Sequence, residues 1–179
     1  MLEFLVGFFI AIPMWAVIEY WWHRLSMHSS YFGKLLPIAW RSFEAHTQLH
    51  HWHFGGQEVN FVAGDENKFP HINKAFHYVS DGVDPLWNVF GSAVVWFPVG
   101  YFWSWWAALG FVVVAWLHGF LWTAFHHEMH WPRNPWWSKT RVFLFVRNNH
   151  KIHHLRPSSN FCALLPPVMD LIMGTRRSS

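Results

Sequence analysis

The sequence predicts an all-α membrane protein, a polytopic bundle of about three to four transmembrane helices with a histidine-rich cap at one membrane face. Three observations predict this fold class. The chain is 53% hydrophobic and only 13% charged, whereas about a quarter of the residues of a soluble domain are charged. It contains apolar runs long enough to cross a bilayer as helices. It also carries 15 histidines, more than its 13 lysines and arginines together.

Length and composition limit the possible classes of protein. The 179 residues suit one domain, so we treat residues 1–179 as a single domain. Cys162 is the only cysteine, which excludes an intrachain disulfide and a cysteine-based metal site. We expect it to be a small buried residue. The pI of about 9.3 reflects basic residues beside hydrophobic spans, which is typical of membrane topology and lipid headgroups rather than of nucleic-acid binding.

Three stretches are predicted to cross the membrane. The first is 2–22, which lacks the basic region of a signal peptide and therefore reads as a retained helix. Pro13 should kink it, and an aromatic belt marks its exit. A longer apolar run divides at a tight turn into a second span, 86–102, and a third, 105–126.

The polar segments are predicted to lie at the membrane interface. Residues 23–82 are too polar to span and include a loop-like stretch at 55–70. Residues 131–140 form a loop rich in Pro and Trp, and residues 140–154 read as an interfacial helix. All thirteen lysines and arginines lie in 24–74 and 133–177. With three spans these two segments share one side, and the positive-inside rule makes that side the cytoplasm.

Four histidine clusters fall on this same side. They are His23 with His28, then His46, His50 and His51, then His126 with His130, and finally His150, His153 and His154. Spacings of three and four residues place side chains on one helical face. His23 and His28 are five apart, which is off-face for a straight helix, so we expect the helix to end or distort between them.

The ten histidines offer more ring nitrogens than one metal can use, which favours two metals with four or five ligands each. Imidazole suits Zn, Fe, Cu and Ni alike, so the spacing leaves iron against zinc open. Glu19, four residues before His23, and Glu128, inside the third cluster, are candidates for orienting the rings from the second coordination shell. The other histidines are expected to be hydrogen-bonded or interfacial residues: His53, His71, His77, His118 and His127.

The four motifs H-x4-H, H-x3-H-H, H-x3-H and H-x2-H-H resemble those of the fatty acid hydroxylase/sterol desaturase superfamily of membrane di-iron enzymes. The tail from His153 to Thr175 is also similar, with an Asn and an aromatic residue and then an Asp followed by Gly-Thr. The resemblance implies that the ten histidines are ligands of two iron ions in a cytoplasmic metal-binding cap, with zinc able to replace iron. It implies O2 as oxidant and hydroxylation or desaturation of a lipid. It further implies that Asn160 and Asp170 support the site or its cap.

Several functions remain open at this stage. A hydroxylase of fatty-acyl or related lipid chains leads, followed by a carotenoid ring hydroxylase of the same superfamily. A haem-binding membrane electron carrier would need paired histidines near mid-membrane, and a metal transporter would need ligands at the midplane. Because no flavin, ferredoxin or haem domain fits in 179 residues, an oxygenase of this size needs an external electron donor of the ferredoxin or cytochrome type.

Overall fold

The computed structural model describes residues 1–54, 85–130, 132–162, 164 and 166–178. The regular elements within these residues are all helical, and no strand occurs among them. In chain order they are α1 (Leu2–Trp21), a first π-helix (Trp22–Met27), α2 (Ser30–Leu35), α3 (Pro37–Phe43), a second π-helix (Glu44–His50), α4 (His51–Phe54), α5 (Pro85–Gly91), α6 (Ala93–Phe102), α7 (Trp105–His130), a 3₁₀ turn (Trp136–Lys139), α8 (Arg141–Leu155) and α9 (Val168–Ile172). The all-α prediction is confirmed for this part of the chain. The predicted loop at 55–70 lies outside the described residues.

Two helical stretches are long and apolar enough to cross a membrane. They are Leu2–Met27, with a mean hydropathy of 1.9, and Trp105–His130, with 1.7. Each has 26 residues, which corresponds to about 39 Å of helix and exceeds the roughly 30 Å of a bilayer core. Pro13 lies inside α1 without ending it.

α1 and α7 run parallel and approach each other closely through small residues. Near their N-terminal ends, a Cβ on Gly110 would lie 2.5 Å from the backbone nitrogen of Phe8, and a Cβ on Gly7 would overlap the backbone of Ala107. Such contacts let membrane helices pack without a hydrophobic driving force. At the same end, Ser104 donates a hydrogen bond of 2.6 Å to the carboxylate of Glu3. The C-terminal ends of both helices, which carry histidines, therefore lie together at the opposite end.

The predicted second span is broken in two. Neither α5 nor α6 reaches the length of a membrane-crossing helix, and they meet at Ser92. The Ser92 hydroxyl donates to the carbonyl of Asn88 at 2.6 Å and lies 3.1 Å from that of Val89. The Trp96 indole also donates to the Val89 carbonyl at 2.8 Å. These side chains compete for carbonyls of the helical ladder, which bends or interrupts a helix.

The broken pair α5–α6 nevertheless supplies the return path along α7. Asn88 lies 3.3 Å from the ring of His118, deep along α7, and α6 ends in the tight turn at Trp103 that begins α7. This antiparallel course brings the end of α6 to the start of α7, at the end of the bundle opposite the histidines. Exposed aromatic residues flank both ends of this bundle, with Trp105 and Trp106 at one end and Trp21 and Trp22 at the other.

α8 confirms the predicted helix at 140–154 within one residue. Its start is capped by the Thr140 hydroxyl, which accepts from the Phe143 amide at 3.3 Å. One face buries Phe143 and Val146 together with three histidines, whereas Val142 and Leu144 are exposed. The buried face sets these histidines against the ends of α1 and α7.

Candidate metal centre

The structure gathers all ten predicted ligands into two groups at one end of the bundle. The first histidine group comprises His23, His28, His46, His51 and His153, and the second comprises His50, His126, His130, His150 and His154. Nine of these side chains are buried and His28 is half-buried. Each group holds four histidines whose ligand atoms all lie within 4.8 Å of one another. The fifth members, His51 and His154, each contact two of these rings.

The Nε2 atoms of the first group form an unbroken chain of short contacts. His23 lies 2.9 Å from His46, and His46 lies 3.2 Å from His51. His51 lies 3.0 Å from His153, and His153 lies 3.1 Å from His28. All these distances join Nε2 to Nε2, so each of the five rings presents the same nitrogen to its neighbours in the group.

The second group repeats this pattern with different helices. The Nε2 of His126 lies 3.3 Å from that of His50, which lies 3.0 Å from that of His154. His154 lies 2.9 Å from His150, which lies 3.0 Å from His130, again between Nε2 atoms. The candidate centre therefore consists of two similar histidine groups, each made of five imidazoles.

These distances fit a metal ion in each group. A metal–nitrogen bond of about 2.0–2.1 Å places neighbouring ligand nitrogens about 2.9 Å apart in an octahedral arrangement and about 3.4 Å apart in a tetrahedral one. The nitrogen separations of 2.9–3.3 Å in both groups lie in this range. The two groups are adjacent, since His51 and His154 stack with ring centroids 4.4 Å apart.

Ring tautomers in the first group strengthen this fit. The Nδ1 of His23 lies 2.7 Å from the Phe161 carbonyl, and that of His153 lies 2.7 Å from the Ser159 carbonyl. Carbonyls only accept, so both Nδ1 atoms carry the proton and both Nε2 atoms present a lone pair. The hydroxyl of Thr47 donates to a backbone carbonyl and lies 3.4 Å from the Nδ1 of His28, which can donate to it.

The Nε2 atoms of His28 and His153, 3.1 Å apart, are thus both acceptors and cannot hydrogen-bond to each other. A cation between them satisfies both lone pairs. Nδ1–H donation to a carbonyl is also how metal-bound histidines are commonly held in orientation.

The two π-helices explain the five-residue spacing of His23 and His28. A π-helix hydrogen-bonds from i to i+5 and is wider than an α-helix, so residues five apart return to one face. The first π-helix, Trp22–Met27, carries His23 and ends at His28. The expected distortion between these two residues is therefore confirmed.

The second π-helix, Glu44–His50, uses the same geometry to divide its histidines between the groups. It brings His46 and His51, five apart, into the first group. His50, four residues from His46, turns to the second.

α8 also divides its histidines between the groups. His150 and His154, four residues apart, face the second group, and His153 faces the first. The expectation that these three share one face is refined by the structure, because adjacent residues on an α-helix differ in direction by about 100°. α8 is therefore a shared wall of both groups.

Residues 159–162 clamp the first group from outside. Asn160 adopts a left-handed conformation with φ of 53°, which Asn tolerates better than most residues. Asn160 lies between Ser159 and Phe161, whose carbonyls hold His153 and His23. Its side-chain oxygen accepts from the Arg177 amide at 2.7 Å, and its side-chain nitrogen donates to the Arg177 carbonyl at 3.2 Å.

Asp170 anchors this clamp. Its carboxylate is fully buried and accepts from the amides of Phe161 and Cys162, both at 2.8 Å, and from the hydroxyl of Thr175 at 2.7 Å. The side chain of Asn149, on α8, donates to the Cys162 carbonyl at 2.6 Å. Asp170 therefore acts on His23 through the Phe161 peptide. Burial raises the pKa of the Cys162 thiol, so that side chain is a neutral packing residue, as expected.

The two candidate glutamates have partners other than the expected rings. Glu19 accepts from the Leu164 amide at 2.7 Å and lies 3.4 Å from His118, whereas the Nδ1 of His23 turns to a backbone carbonyl. Glu128 accepts from the amides of Arg133 and Asn134 at 2.8 and 2.9 Å. Glu128 is two residues from His126 and from His130, so its side chain leaves α7 on the other face and secures the following loop.

Of the five remaining histidines, the structure describes the side chains of His118 and His127. His118 is buried along α7, where its ring stacks on Trp15 with centroids 4.9 Å apart and contacts Asn88 and Glu19. His127 is half-buried on α7. His71, His77 and the side chain of His53 lie outside the described residues. At the depth of His118, the described chain shows no facing pair of histidines of the kind that a haem carrier needs.

Burial keeps the clustered imidazoles neutral. The pKa of His28 falls to about 2 because the ring is desolvated and lies beside His153 and His51. Desolvation and the neighbouring His153 and His126 likewise lower the pKa of His51 to about 2. The same causes hold the pKa values of five further rings well below the usual 6.5: His46, His50, His150, His153 and His154. Neutral imidazole is the form that binds metals.

Comparisons with models of protein families, with curated proteins and with solved structures give no match for this chain. The ligand arrangement therefore stands on its own geometry. Sequence reasoning did not identify the carbonyls of Ser159 and Phe161 or the hydroxyl of Thr47. Backbone acceptors have no side-chain signature, although the Asn160–Asp170 tail was a signal that this segment matters.

Proposed function

We propose that this chain is an integral-membrane di-iron oxygenase that hydroxylates an apolar lipid, a fatty-acyl or related chain, with O2 and external electrons. The observation that carries the proposal is the pair of adjacent five-histidine groups at one end of two membrane-length helices. Lysines and arginines flank these ends, which supports a multi-pass orientation with the centre and the C-terminus in the cytoplasm.

The chemistry needs a redox-active pair of metals, and iron bound by imidazole can activate O2 where zinc cannot. Hydroxylation converts R–H, O2, two electrons and two protons into R–OH and water. The chain's own residues hold the centre in place. The ten imidazoles supply neutral ligands, and the carbonyls of Ser159 and Phe161 fix two rings in the tautomer that leaves Nε2 free.

The surroundings of the centre suit an apolar substrate. Phe54 stacks on His130 with centroids 4.4 Å apart, and Trp122 stacks on His126 at 5.6 Å. Phe161 packs edge-on against His23 at 5.7 Å. These rings exclude water from the ligands and provide apolar surface for a lipid chain. In this proposal the electrons come from an external donor of the ferredoxin or cytochrome type.

The test is expression in a membrane host under ¹⁸O2, with mass spectrometry of total lipids. We expect one ¹⁸O atom in a hydroxylated acyl lipid from cells with the wild-type chain, and none with His130→Ala. Label in carotenoids of a carotenoid-producing host, and not in acyl lipids, would assign the alternative ring hydroxylase. The absence of any labelled product in cells whose purified protein holds two irons would overturn the oxygenase proposal.

A further inference from the structure

Four rings form a continuous stack that begins at a candidate ligand and runs away from the histidine groups. Trp122 lies parallel to His126 at 8°, with centroids 5.6 Å apart. His118 stacks on Trp122 at 17° and 6.4 Å, and Trp15 stacks on His118 at 22° and 4.9 Å. The three rings on α7 are four residues apart in sequence and share one helical face, whereas Trp15 belongs to α1. The stack therefore joins the second histidine group to the neighbouring helix.

The stack leads into the depth of the helix pair. Along the axis of α7, Trp122 lies about 6 Å and His118 about 12 Å from His126. Trp15, His118 and Trp122 are all buried. Lysines and arginines are absent from 1–23 and 75–132, so the stack points away from the basic face that is open to a soluble electron donor.

A buried carboxylate lies beside the middle of the stack. An oxygen of Glu19 is 3.4 Å from the Nε2 of His118, and both side chains are buried. Ionisable side chains inside a membrane-spanning bundle are costly and commonly mark function. A carboxylate stabilises positive charge on nearby rings, and this Coulomb attraction is stronger where the dielectric constant is low. Trp15 and Trp122, which both stack on His118, therefore lie where a positive charge is favoured.

We propose that this stack is a one-electron pathway that carries oxidising equivalents away from the second histidine group when no substrate is bound. The assignment rests on the proposed function, because the oxidant is the metal centre after its reaction with O2. Indole is among the side chains that give up an electron most readily, and electrons pass between stacked rings faster than through saturated chains.

The step moves an electron and breaks no bond. Trp122 gives one electron to the oxidised centre and becomes a radical cation, which leaves the centre one electron more reduced. The indole proton stays on its nitrogen, since nothing in the described part of the chain accepts from it. An electron then passes from Trp15 to Trp122, and the positive charge comes to rest on Trp15. The external donor of the proposed function later returns the electron through the same rings. Electrons from Trp122 and Trp15 thus quench an oxidant that would otherwise attack the imidazole ligands.

Electron paramagnetic resonance tests the pathway without substrate. Iron-loaded protein in detergent is reduced, mixed with O2 or, in a second series, with hydrogen peroxide, and frozen rapidly. We expect an organic radical whose spectrum narrows when the protein is made with ring-deuterated tryptophan. Trp122→Phe keeps an aromatic ring against His126 and should abolish the signal, because the phenylalanine ring is much harder to oxidise. Zinc-loaded wild type should give no signal, since zinc has no redox chemistry.

The matched control is Trp116→Phe. Trp116 also lies on α7 and stacks on Phe120 at 9° and 5.6 Å, but both side chains are exposed, so this variant should keep the full signal. The pathway would be overturned by a wild type that holds two irons and forms no tryptophan radical with either oxidant. A radical of equal yield in Trp122→Phe, or one lost equally in Trp116→Phe, would overturn it as well.

Trp15→Phe tests the second transfer and leaves the contact between Trp122 and His126 intact. The radical should still form, now confined to Trp122, and should decay several-fold faster because the positive charge stays beside the reduced centre. Equal radical lifetimes in this variant and the wild type would refute the transfer to Trp15. This variant also tests the pathway should Trp122→Phe fail to bind two irons.

Peptide mass spectrometry after repeated exposure to O2 tests the protective role. We expect added oxygen on Trp122 and Trp15 in the wild type. In Trp122→Phe the added oxygen should move to His126 and other ligands, and iron should be lost several-fold faster than from Trp116→Phe, although both variants hold iron equally under nitrogen. Equal rates of iron loss in O2 would contradict protection. Lipid that gains ¹⁸O in a protein without the radical would leave the proposed function standing and refute only the pathway.

Discussion

Replacing Asp170 with Asn separates the role of the clamp from that of the ligands. The hydrogen bonds of Asp170 do not involve either histidine group. Its carboxylate accepts hydrogen bonds of 2.8 Å from the backbone amides of Phe161 and Cys162. Asn has one acceptor oxygen, so one of these amides would face an NH2 group. Losing one charge-assisted hydrogen bond costs about 1.5–3 kcal/mol of stability.

The same change should weaken metal binding in the first group. The Phe161 carbonyl loosens, the ring of His23 loses its fixed tautomer, and loss of such an outer partner typically lowers metal affinity about 10–100-fold. We expect Asp170→Asn to release one metal per chain at a chelator concentration that leaves the wild type loaded. The second metal should stay, because the carbonyls of the clamp hold His23 and His153, which both belong to the first group.

Glu128→Gln is the matched control. It is another buried carboxylate that accepts two backbone amides, and they belong to a loop rather than to the clamp. It should lower the unfolding temperature in detergent to a similar extent without selective metal loss. The assays are mass spectrometry of metal per chain during a chelator titration, and thermal unfolding. If Asp170→Asn melts earlier but keeps both metals with wild-type affinity, the clamp does not position His23.

Two further predictions concern pH and helix packing. Lowering the pH from 7 to 5 should destabilise the metal-free protein and release metal from the loaded one. The folded pKa values of His28 and His51 are about 2 against 6.5 unfolded, so the unfolded chain binds more protons below 6.5. Each such ring then lowers the free energy of unfolding by about 1.4 kcal/mol for each pH unit below 6.5. A melting temperature that stays constant between pH 7 and 5 would contradict this. Gly110→Ala should cost about 1–3 kcal/mol, because its methyl group meets the backbone of α1. The exposed Leu109→Ala is its control in denaturation assays, and equal stability of the two variants would argue against the close helix approach.

Much of this centre was predictable because histidine spacing and helix geometry are local properties. The four clusters, the distortion between His23 and His28, and the helix that carries the last cluster all follow from periodicity. That the clusters meet at one end follows from hydropathy and from the positions of Lys and Arg.

The division into two groups was not predictable from spacing. Whether His50 joins His46 or His126 depends on how a π-helix sits against α7, which is a tertiary property. The break at Ser92 was hidden in an apolar run because a single serine in a membrane helix is usually tolerated. The partners of Glu19 and Glu128 were missed because their carboxylates accept from backbone amides of distant or loop segments. A backbone amide has no side-chain signature in the sequence.

The most direct test of the central claim is the metal content of single-ligand variants from the two groups. We expect about two metals per chain in detergent-purified wild type, about one in His23→Ala, about one in His130→Ala and none in the double variant, with no haem absorbance. Folded wild-type protein without metal, one haem per chain, or a single metal lost equally in either variant would contradict two separate five-histidine sites.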